Sequence, residues 1–516
     1  MSRRVLAWNS VSGMGIYALS GGVSFLMAPF LVHHLTNQGY GFWELLMGMA
    51  GYLGILDLGI SPAVMRYVAL ARGEGNQARL LQVVNTGFLA FLVAGVCGAA
   101  LMGLAAIKPS ILFGALPLPL SEGRLLVGVG ALLLLVSFVR TTFTAALLGL
   151  QLHRLLNLIR SLSTTLQAGT VFWVLCHDDT HALLKLALIT LGTSTLESLA
   201  AALLLRRVLK ARLSPRHARW SDAKELMGFG VKSTGIMAAS SLMRQGMLFV
   251  ISHGLGPAAV TFYVLATRLI DYGSSLSTAV GYPITPHLAQ ALGKDGIKGA
   301  AQAYEFTTRA MTFICAGIAM GVWWLGLPFL ARWMGPEYAQ QGGAAFHILA
   351  AGLFVQLLGV NSSRMLFGLN KHGQVAVWGG VLAIVSFSAA LLTVPKLGLP
   401  AAAGTLALYG AGMNLWELWL VSRALNFSFV KHILTSLKQI LGPLAAGSAI
   451  LALLRLYWPA TEYWRFPVHA LAGGLAYTAI SLLTMLGPLE RRRLIGFVRG
   501  AAATIALRRK INSAPS

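Results

Sequence analysis

Acidic residues and cysteines are scarce in this sequence. Its 516 residues include 16 acidic residues against 40 Lys and Arg, and 3 cysteines, Cys97, Cys176 and Cys315. The cysteines are odd in number and lack metal-binding spacing, so they predict neither a disulfide framework nor a metal site. A Ser/His/Asp arrangement and a phosphate-binding glycine loop are also missing from the sequence. We therefore expect no enzyme activity, no bound metal and no cofactor.

The small acidic content leaves a formal net charge of +24, which is also typical of nucleic-acid-binding proteins. The positions of the basic residues decide between nucleic acid and membrane. With the N-terminus inside, roughly 28 Lys and Arg lie in cytoplasmic segments and about 7 in external ones, as the positive-inside rule predicts. The basic stretches lie beside apolar segments and lack interleaved aromatic residues. We therefore expect contacts with anionic lipid headgroups and none with nucleic acid.

Long apolar segments make up most of the sequence. Hydrophobic residues are 56% of the chain and charged residues 11%, and the mean hydropathy is +0.70. This balance is typical of an integral membrane protein. A window of about 19 residues finds roughly 14 candidate spans. We therefore predict an all-α polytopic membrane protein of about 14 transmembrane helices, with both termini in the cytoplasm.

Basic segments divide the predicted spans into groups. Residues 1–206 contain spans one to six, and a basic loop at 207–232 follows them, with an amphipathic interfacial helix at its end. Residues 233–424 contain spans seven to twelve, and residues 425–490 contain an additional pair, spans thirteen and fourteen. A basic tail follows at 491–516. The sequence therefore predicts two groups of six spans with a helix pair added.

The stretch from residue 40 to residue 73 has features that a passive span avoids. Glu44 lies near one end of this stretch and Asp57 near its middle, and Gly59 and Pro62 follow directly. A carboxylate costs roughly 2.5–3.5 kcal/mol at the centre of a membrane helix, and a proline leaves backbone groups that must find partners. We therefore predict a broken helix that faces protein or water.

The same pattern returns a little over two hundred residues later. Arg268 and Asp271 lie in the middle of the later span, and Pro283 and Pro286 interrupt its cytoplasmic half. Two broken helices at corresponding places in two halves of a chain are the best sequence indication of the central site of a transporter. We expect the functional site near these two helices.

Five arginines lie within predicted spans: Arg140, Arg160, Arg244, Arg268 and Arg364. Five acids lie there too: Glu44, Asp57, Glu197, Asp271 and Glu417. At roughly 2.5–3.5 kcal/mol each, exposing all the arginines to lipid would cost on the order of 12–18 kcal/mol, more than the stability margin of a typical fold. The arginines must therefore line a water-filled interior or pair with the acids.

Substrate binding and ion pairing both stay open for these arginines. Arg244 has no acid on its own predicted helix, so it is the strongest candidate for an anionic substrate, and its planar fork suits phosphate. Arg268 precedes Asp271 by three residues on one helix, which favours a local ion pair.

The carboxylates also have two open roles. Asp57 either couples transport to H⁺ or Na⁺, or accepts hydrogen bonds from the amides freed around Gly59, and the second role is slightly favoured. Glu44, Glu197 and Asp271 are further candidates for coupling or for capping a helix break.

Several short motifs resemble those of a known family. The first third contains NS at 9–10, GG at 21–22, YGF at 40–42, LDLGI at 56–60 and RY at 66–67. Later segments add ELMGFG at 225–230, FYVLATRL at 262–269 and WMGPEYA at 333–339. Together these motifs resemble the polysaccharide flippases, the O-antigen and exopolysaccharide transporters of the multidrug/oligosaccharidyl-lipid/polysaccharide exporter superfamily. LDLGI is the most specific of them.

The resemblance implies a pseudo-twofold, V-shaped bundle of two six-helix lobes around a cationic cavity. Members move undecaprenyl-pyrophosphate-linked oligosaccharides across the bacterial inner membrane by alternating access. In this sequence we expect Arg244, with Arg140, Arg160, Arg364 and Arg268, to contact the pyrophosphate. The expected partners are the lipid-linked glycan, membrane lipids and other polysaccharide-assembly proteins.

Two alternatives stay open within the superfamily. Spans thirteen and fourteen are similar in number to those of the lipid II flippases, which carry a peptidoglycan precursor. A cation-coupled multidrug antiporter would need a cavity rich in acids and aromatic residues, whereas arginines equal the acids here. A membrane enzyme acting on lipid-linked sugars is disfavoured because the external loops are all short.

Overall fold

The structure is a computed structural model that describes residues 3–114, 116–210, 218–281, 284–369 and 371–484. Pro283, the basic tail 491–516 and residues 211–217 of the basic loop lie outside the described residues. Within these ranges the chain is helical throughout and contains no strand. The prediction of an all-α protein is therefore confirmed.

The helices follow one another with short connections. They are α1 (Arg3–Leu53), α2 (Ile60–Gly73), α3 (Gln77–Ile107), α4 (Pro109–Phe113), α5 (Leu120–Gly149), α6 (His153–His177), α7 (Ala182–Leu209), α8 (Trp220–Ser241), α9 (Met247–Leu255), α10 (Pro257–Gly281), α11 (Ile284–Met334), α12 (Pro336–Gln356), α13 (Ser362–Gly368), α14 (His372–Leu397), α15 (Leu399–Ala424), α16 (Phe429–Tyr457) and α17 (Arg465–Thr484).

Several helices are interrupted where the backbone changes direction or where the sequence carries polar residues. Thr36, with φ 63°, divides α1 between the predicted spans one and two. A 3₁₀ turn at Gly54–Asp57 separates α1 from α2, and a π-helical turn at Leu242–Gly246 separates α8 from α9. A second 3₁₀ turn at Leu357–Gly359 ends α12. These breaks free backbone groups that can accept hydrogen bonds from side chains.

Nine helical segments of the described chain are long and apolar enough to cross a membrane. The predicted number of about 14 is not confirmed. Helices such as α6 and α15 carry polar residues, including Arg160 and Glu417, that lower their mean hydropathy. These polar residues indicate that the helices lie inside the bundle. They also lower the mean hydropathy by which a membrane span is recognised.

The chain divides into two compact units. The first comprises Met1–Arg268, Gln340–Leu349 and His372–Met413, and the second comprises Leu269–Ala339, Ala350–Lys371 and Asn414–Ser516. The division into two compact units does not test the lobe boundaries that we predicted from the sequence, so those boundaries stay a prediction.

In the first unit, the second half of α1 packs closely against the start of α10. A Cβ atom at Gly41 would overlap the carbonyl group of Pro257, with 2.7 Å to its carbon. The hydroxyl of Thr261 donates a hydrogen bond of 2.7 Å to the Asn37 carbonyl. Small residues allow such backbone contact between helices in membrane proteins. Glycine at residue 41 is therefore required by this contact.

In the second unit, α11, α16 and α17 enclose an apolar core. Met311, Cys315, Met320, Leu451 and Tyr477 are buried together there. Leucines on α16 and α17 are exposed on other faces, as expected for helices that contact lipid. This core forms one side of the cavity described below.

Candidate functional site

Three charged side chains meet in the first unit. Arg140 on α5 donates to Glu197 on α7 at 2.7 Å, and Arg160 on α6 lies 4.0 Å from the other oxygen of the same carboxylate. The Glu197 side chain is only 10% exposed. Two guanidinium groups therefore share one carboxylate, and this cluster, the Glu197 triad, keeps one net positive charge.

A second ion pair in the first unit joins α1 to α10. Arg268 donates to Glu44 at 2.8 Å and to the hydroxyl of the buried Tyr40 at 2.8 Å. Glu44 lies 224 residues before Arg268, and the local pair of Arg268 with Asp271 that the sequence favoured stays a prediction beside this contact. The sequence named Glu44 only as a carboxylate candidate, because residues so far apart in sequence give no local signal.

Asp57 lies at the break between α1 and α2. Its Oδ1 accepts a hydrogen bond of 2.9 Å from the backbone amide of Ser61, in the first turn of α2. Gly59 caps α2 with φ 72°, in the left-handed region that favours glycine, and Pro62 lies within the first turn. The helix break is where the sequence predicts it. Asp57 has the structural role that the sequence slightly favoured, and its coupling role stays a prediction.

The later break is described only in part. Helix α10 is described as far as Gly281 and α11 from Ile284 onward, and Pro283 lies outside the described residues. Pro286 falls in the first turn of α11, and Asp271 lies on α10, partly buried. The break after Asp57 is therefore observed, and the break at Pro283 stays a prediction.

Arg244 lies in the π-helical turn between α8 and α9, and its side chain is exposed. A π-helical turn adds one residue to the helix and is frequent at functional sites. Gln245, its neighbour in this turn, packs against Gly51 of α1. The sequence indicated Arg244 but gave no sign of the turn that presents it.

Arg364, in the second unit, is held by backbone and amide oxygens. It lies on the short helix α13 and donates to the Val360 carbonyl at 3.0 Å and to the Asn361 side chain at 3.1 Å. Its guanidinium group also packs against Gly281, the last residue of α10. Among the described residues, no carboxylate forms an ion pair with it. The carbonyls freed at helix ends therefore stabilise this charge.

Arg364 lines a cavity of about 160 Å³ that opens to solvent. The other lining residues come from α10, α11, α12 and α15. The polar ones are Ser274, Ser277, Thr278, Cys315, Gln356 and Asn414. The apolar ones include Met311, Ile318, Leu353 and Val360. We call this space the Arg364 cavity, and it combines one guanidinium group with neutral hydrogen-bonding groups.

A buried polar network lies behind the cavity. The Tyr304 hydroxyl is 2.9 Å from the Ser362 hydroxyl, and Glu417 contacts the hydroxyl of Ser363. Asn414 and Glu417 are three residues apart on α15, so they lie on one face of the helix. The sequence placed Glu417 within a predicted span, but it gave no sign that Ser363 of α13 would be its partner.

This construction defines a class of protein. A helical bundle with interrupted helices, intramembrane charges and an interior polar cavity is typical of membrane transporters. The chain is a multi-pass membrane protein of this class.

Comparison with known proteins narrows this class of membrane transporter. Residues 180–341 match a family described as polysaccharide biosynthesis protein. A putative O-antigen transporter of Shigella flexneri is 23% identical over 386 residues, covering 72% of this chain and 86% of the relative. The uncharacterized membrane protein EpsK of Bacillus subtilis (strain 168) is 23% identical over 449 residues, covering 85% of this chain and 86% of the relative.

Solved structures show the same fold. The lipid II flippase MurJ, in an inward closed conformation, superposes with a TM-score of 0.70 at 15% identity, covering 92% of this chain and 98% of that one. A multidrug resistance transporter of the MATE family, of the MOP superfamily, gives 0.61 at 18% identity, covering 80% and 96%. The resemblance to polysaccharide transporters that the short motifs indicated is therefore confirmed.

Proposed function

We propose that the protein is a flippase that moves undecaprenyl-pyrophosphate-linked oligosaccharide repeat units across the bacterial inner membrane by alternating access. The product serves the biosynthesis of O-antigen or exopolysaccharide. The observation that carries this proposal is the excess of guanidinium groups over contacting carboxylates at the described interior sites: the Glu197 triad keeps one positive charge, and Arg364 has carbonyl partners.

The chemistry of such a substrate explains why the interior needs positive charge. A pyrophosphate group cannot enter hydrocarbon unaided, because each charge would lose its hydration at a large cost in free energy. A guanidinium group replaces that hydration with charge-assisted, bidentate hydrogen bonds. The polyprenyl chain stays in the lipid, so the protein has to shield only the polar head.

Among the arginines, Arg244 is the main contact for pyrophosphate in this proposal, because its side chain is exposed on a helical interruption. Arg140 and Arg160 assist through the net charge of the Glu197 triad. Arg268 mainly fixes α1 to α10, since Glu44 already balances it. The same proposal includes coupling of transport to H⁺ or Na⁺ through Asp57, Glu197 or Asp271. It also places both termini in the cytoplasm and assigns no catalytic activity to the protein.

Transport in proteoliposomes tests this proposal. A fluorescent undecaprenyl-pyrophosphate oligosaccharide is placed in one leaflet, and its arrival in the other leaflet is measured with a membrane-impermeant quencher. We expect Arg244→Ala to slow transport roughly tenfold or more, because losing a charge-assisted contact costs that much in affinity. The control is Arg309→Ala, at an exposed arginine of α11 that pairs with Glu305 in its own helix.

A gene deletion tests the proposal in cells. Lipid-linked oligosaccharide should accumulate in the inner leaflet while the surface polymer disappears. Unchanged surface polymer in the deletion strain, together with no transport in proteoliposomes, would contradict the proposal.

A lipid II flippase is the second candidate, because the MurJ structure covers 92% of this chain. Depletion of the protein would then stop peptidoglycan synthesis and growth. Normal growth with loss of surface polymer favours the oligosaccharide substrate.

A further inference from the structure

We propose that the Arg364 cavity binds a single negatively charged sugar residue of the transported glycan, such as a hexuronate. This inference rests on the proposed function, because it names the part of the cargo that this cavity receives. It also separates Arg364 from the arginines that contact pyrophosphate.

Charge matching favours a monoanion. Among the described residues that line the cavity, Arg364 is the one cationic side chain and none is acidic. A pyrophosphate diester carries two negative charges, so a single guanidinium group would balance only one of them. A sugar carboxylate matches one guanidinium group without excess charge.

The size of the cavity favours one sugar. A volume of 160 Å³ holds roughly five waters at about 30 Å³ each, which corresponds to one pyranose ring and not to an oligosaccharide. The cavity opens to solvent, so the rest of the glycan can extend outward. The site therefore accepts one ring at a time.

The neutral lining groups favour hydroxyl-bearing ligands. The Nδ2 of Asn414 donates to the Gln356 carbonyl at 3.3 Å, and its Oδ1 is buried with no hydrogen-bond partner among the described residues. The hydroxyls of Ser277 and Thr278 donate to carbonyls of their own helix, at 3.2 and 3.0 Å, which leaves their oxygens as acceptors. Hydroxyl groups spread around a sugar ring can donate to these oxygens.

Cys315 provides a built-in measure of occupancy. Its thiol lines the cavity and is buried, whereas Cys97 and Cys176 are exposed. A ligand in the cavity should therefore slow alkylation of Cys315 and leave the other two cysteines unchanged.

The experiment uses the full-length protein in lipid nanodiscs and N-ethylmaleimide, with mass spectrometry to quantify each cysteine. The probes are glucuronate, glucose and inorganic phosphate. Glucuronate at about ten times its Kd should slow Cys315 alkylation about tenfold, since roughly nine-tenths of the sites are occupied. Glucose and phosphate should each protect much less, because glucose lacks the carboxylate and phosphate lacks the ring hydroxyls. Protection by phosphate equal to that by glucuronate would overturn the proposal.

Variants identify the residue responsible. Arg364→Gln should weaken glucuronate binding roughly tenfold or more, measured by titration calorimetry, which needs no thiol reactivity. Arg309→Gln, at the exposed arginine of α11, should bind glucuronate as the wild type does. Glucuronate binding that calorimetry does not detect in the wild type, or that Arg364→Gln keeps, contradicts the proposal.

Transport separates this inference from the proposed function. The wild type should move an acidic oligosaccharide faster than a neutral one of the same length, and Arg364→Gln should remove the difference while still moving the neutral cargo. If no lipid-linked cargo moves at all, the proposed function fails even where glucuronate protects Cys315. If both cargoes move equally in the wild type, only the sugar preference fails.

Discussion

Partly buried arginines are stabilised differently in the two units. In the first unit, Arg140, Arg160 and Arg268 contact carboxylates supplied by distant helices. In the second unit, Arg364 contacts a backbone carbonyl and an amide oxygen instead. A carboxylate cancels a full charge, whereas a carbonyl offsets only part of it. Glu44 therefore balances Arg268, whereas the Glu197 triad and Arg364 each keep one positive charge.

The largest effect should follow removal of the shared acid. Glu197→Gln leaves Arg140 and Arg160 without a counter-charge, so we expect a loss of about 3 kcal/mol in the free energy of unfolding. Unfolding by SDS titration in mixed micelles measures it. The matched control is Glu305→Gln, at an exposed acid on α11. A stable Glu197→Gln protein that loses ion-dependent transport would instead assign Glu197 to coupling.

A double-mutant cycle on Arg268 and Glu44 should show a coupling energy of about 2 kcal/mol, as expected for a partly buried, charge-assisted pair. Each single substitution to Gln is compared with the double variant in the same unfolding assay. Tyr40→Phe removes the second hydrogen bond and should cost about 1 kcal/mol. Additive single effects would show that the pair contributes no mutual stabilisation.

The sequence determined much of the fold and less of the sites. Residues that break helices act locally, so the interruption near Asp57 follows from glycine, proline and a nearby acceptor. The partners of buried charges depend on tertiary packing. Neither Glu197 meeting two arginines nor Glu44 meeting Arg268 has a local signal, because each contact joins separate helices.

The Arg364 cavity could not be predicted from the sequence either. Its walls come from five helices and the turn after α12, and its neutral hydrogen-bonding residues are spread over α10, α12 and α15. The sequence did indicate Arg364, but it could not bring these separate residues to one space. The predicted count of about 14 spans stays unconfirmed for a related reason: interior helices are less apolar than lipid-facing ones, so a hydropathy criterion detects fewer of them.

A moderate effect is expected at the first helix break. Asp57→Ala removes the acceptor for the Ser61 amide, which should cost about 1 kcal/mol, as for other helix caps. Asp57→Asn keeps a side-chain oxygen and should cost about 0.3 kcal/mol in the same assay. Loss of transport in the stable Asn variant would assign a coupling role to the carboxylate. Equal losses of stability in both variants would contradict the capping role.

The smallest effect on stability should come from Gly281→Ala. The new Cβ would lie 2.6 Å from the Arg364 guanidinium carbon, and this flexible side chain can move aside. We expect a change of about 0.5 kcal/mol in stability, but a clear loss of glucuronate binding. Calorimetry measures the binding, and Gly293→Ala, where a Cβ meets nothing within 4 Å, is the control. Unchanged binding would show that the position of Arg364 is unimportant for the ligand.

The contact of Gly41 with Pro257 also limits how the molecule can move. Because two backbones touch there and Thr261 ties them with a hydrogen bond, the second half of α1 cannot slide along α10 or roll over it without overlap. Any conformational change must therefore move these two helical segments together as one rigid body. In the proposed transport cycle, bending would occur at the two interruptions that bound the second half of α1, Thr36 and Gly54–Asp57.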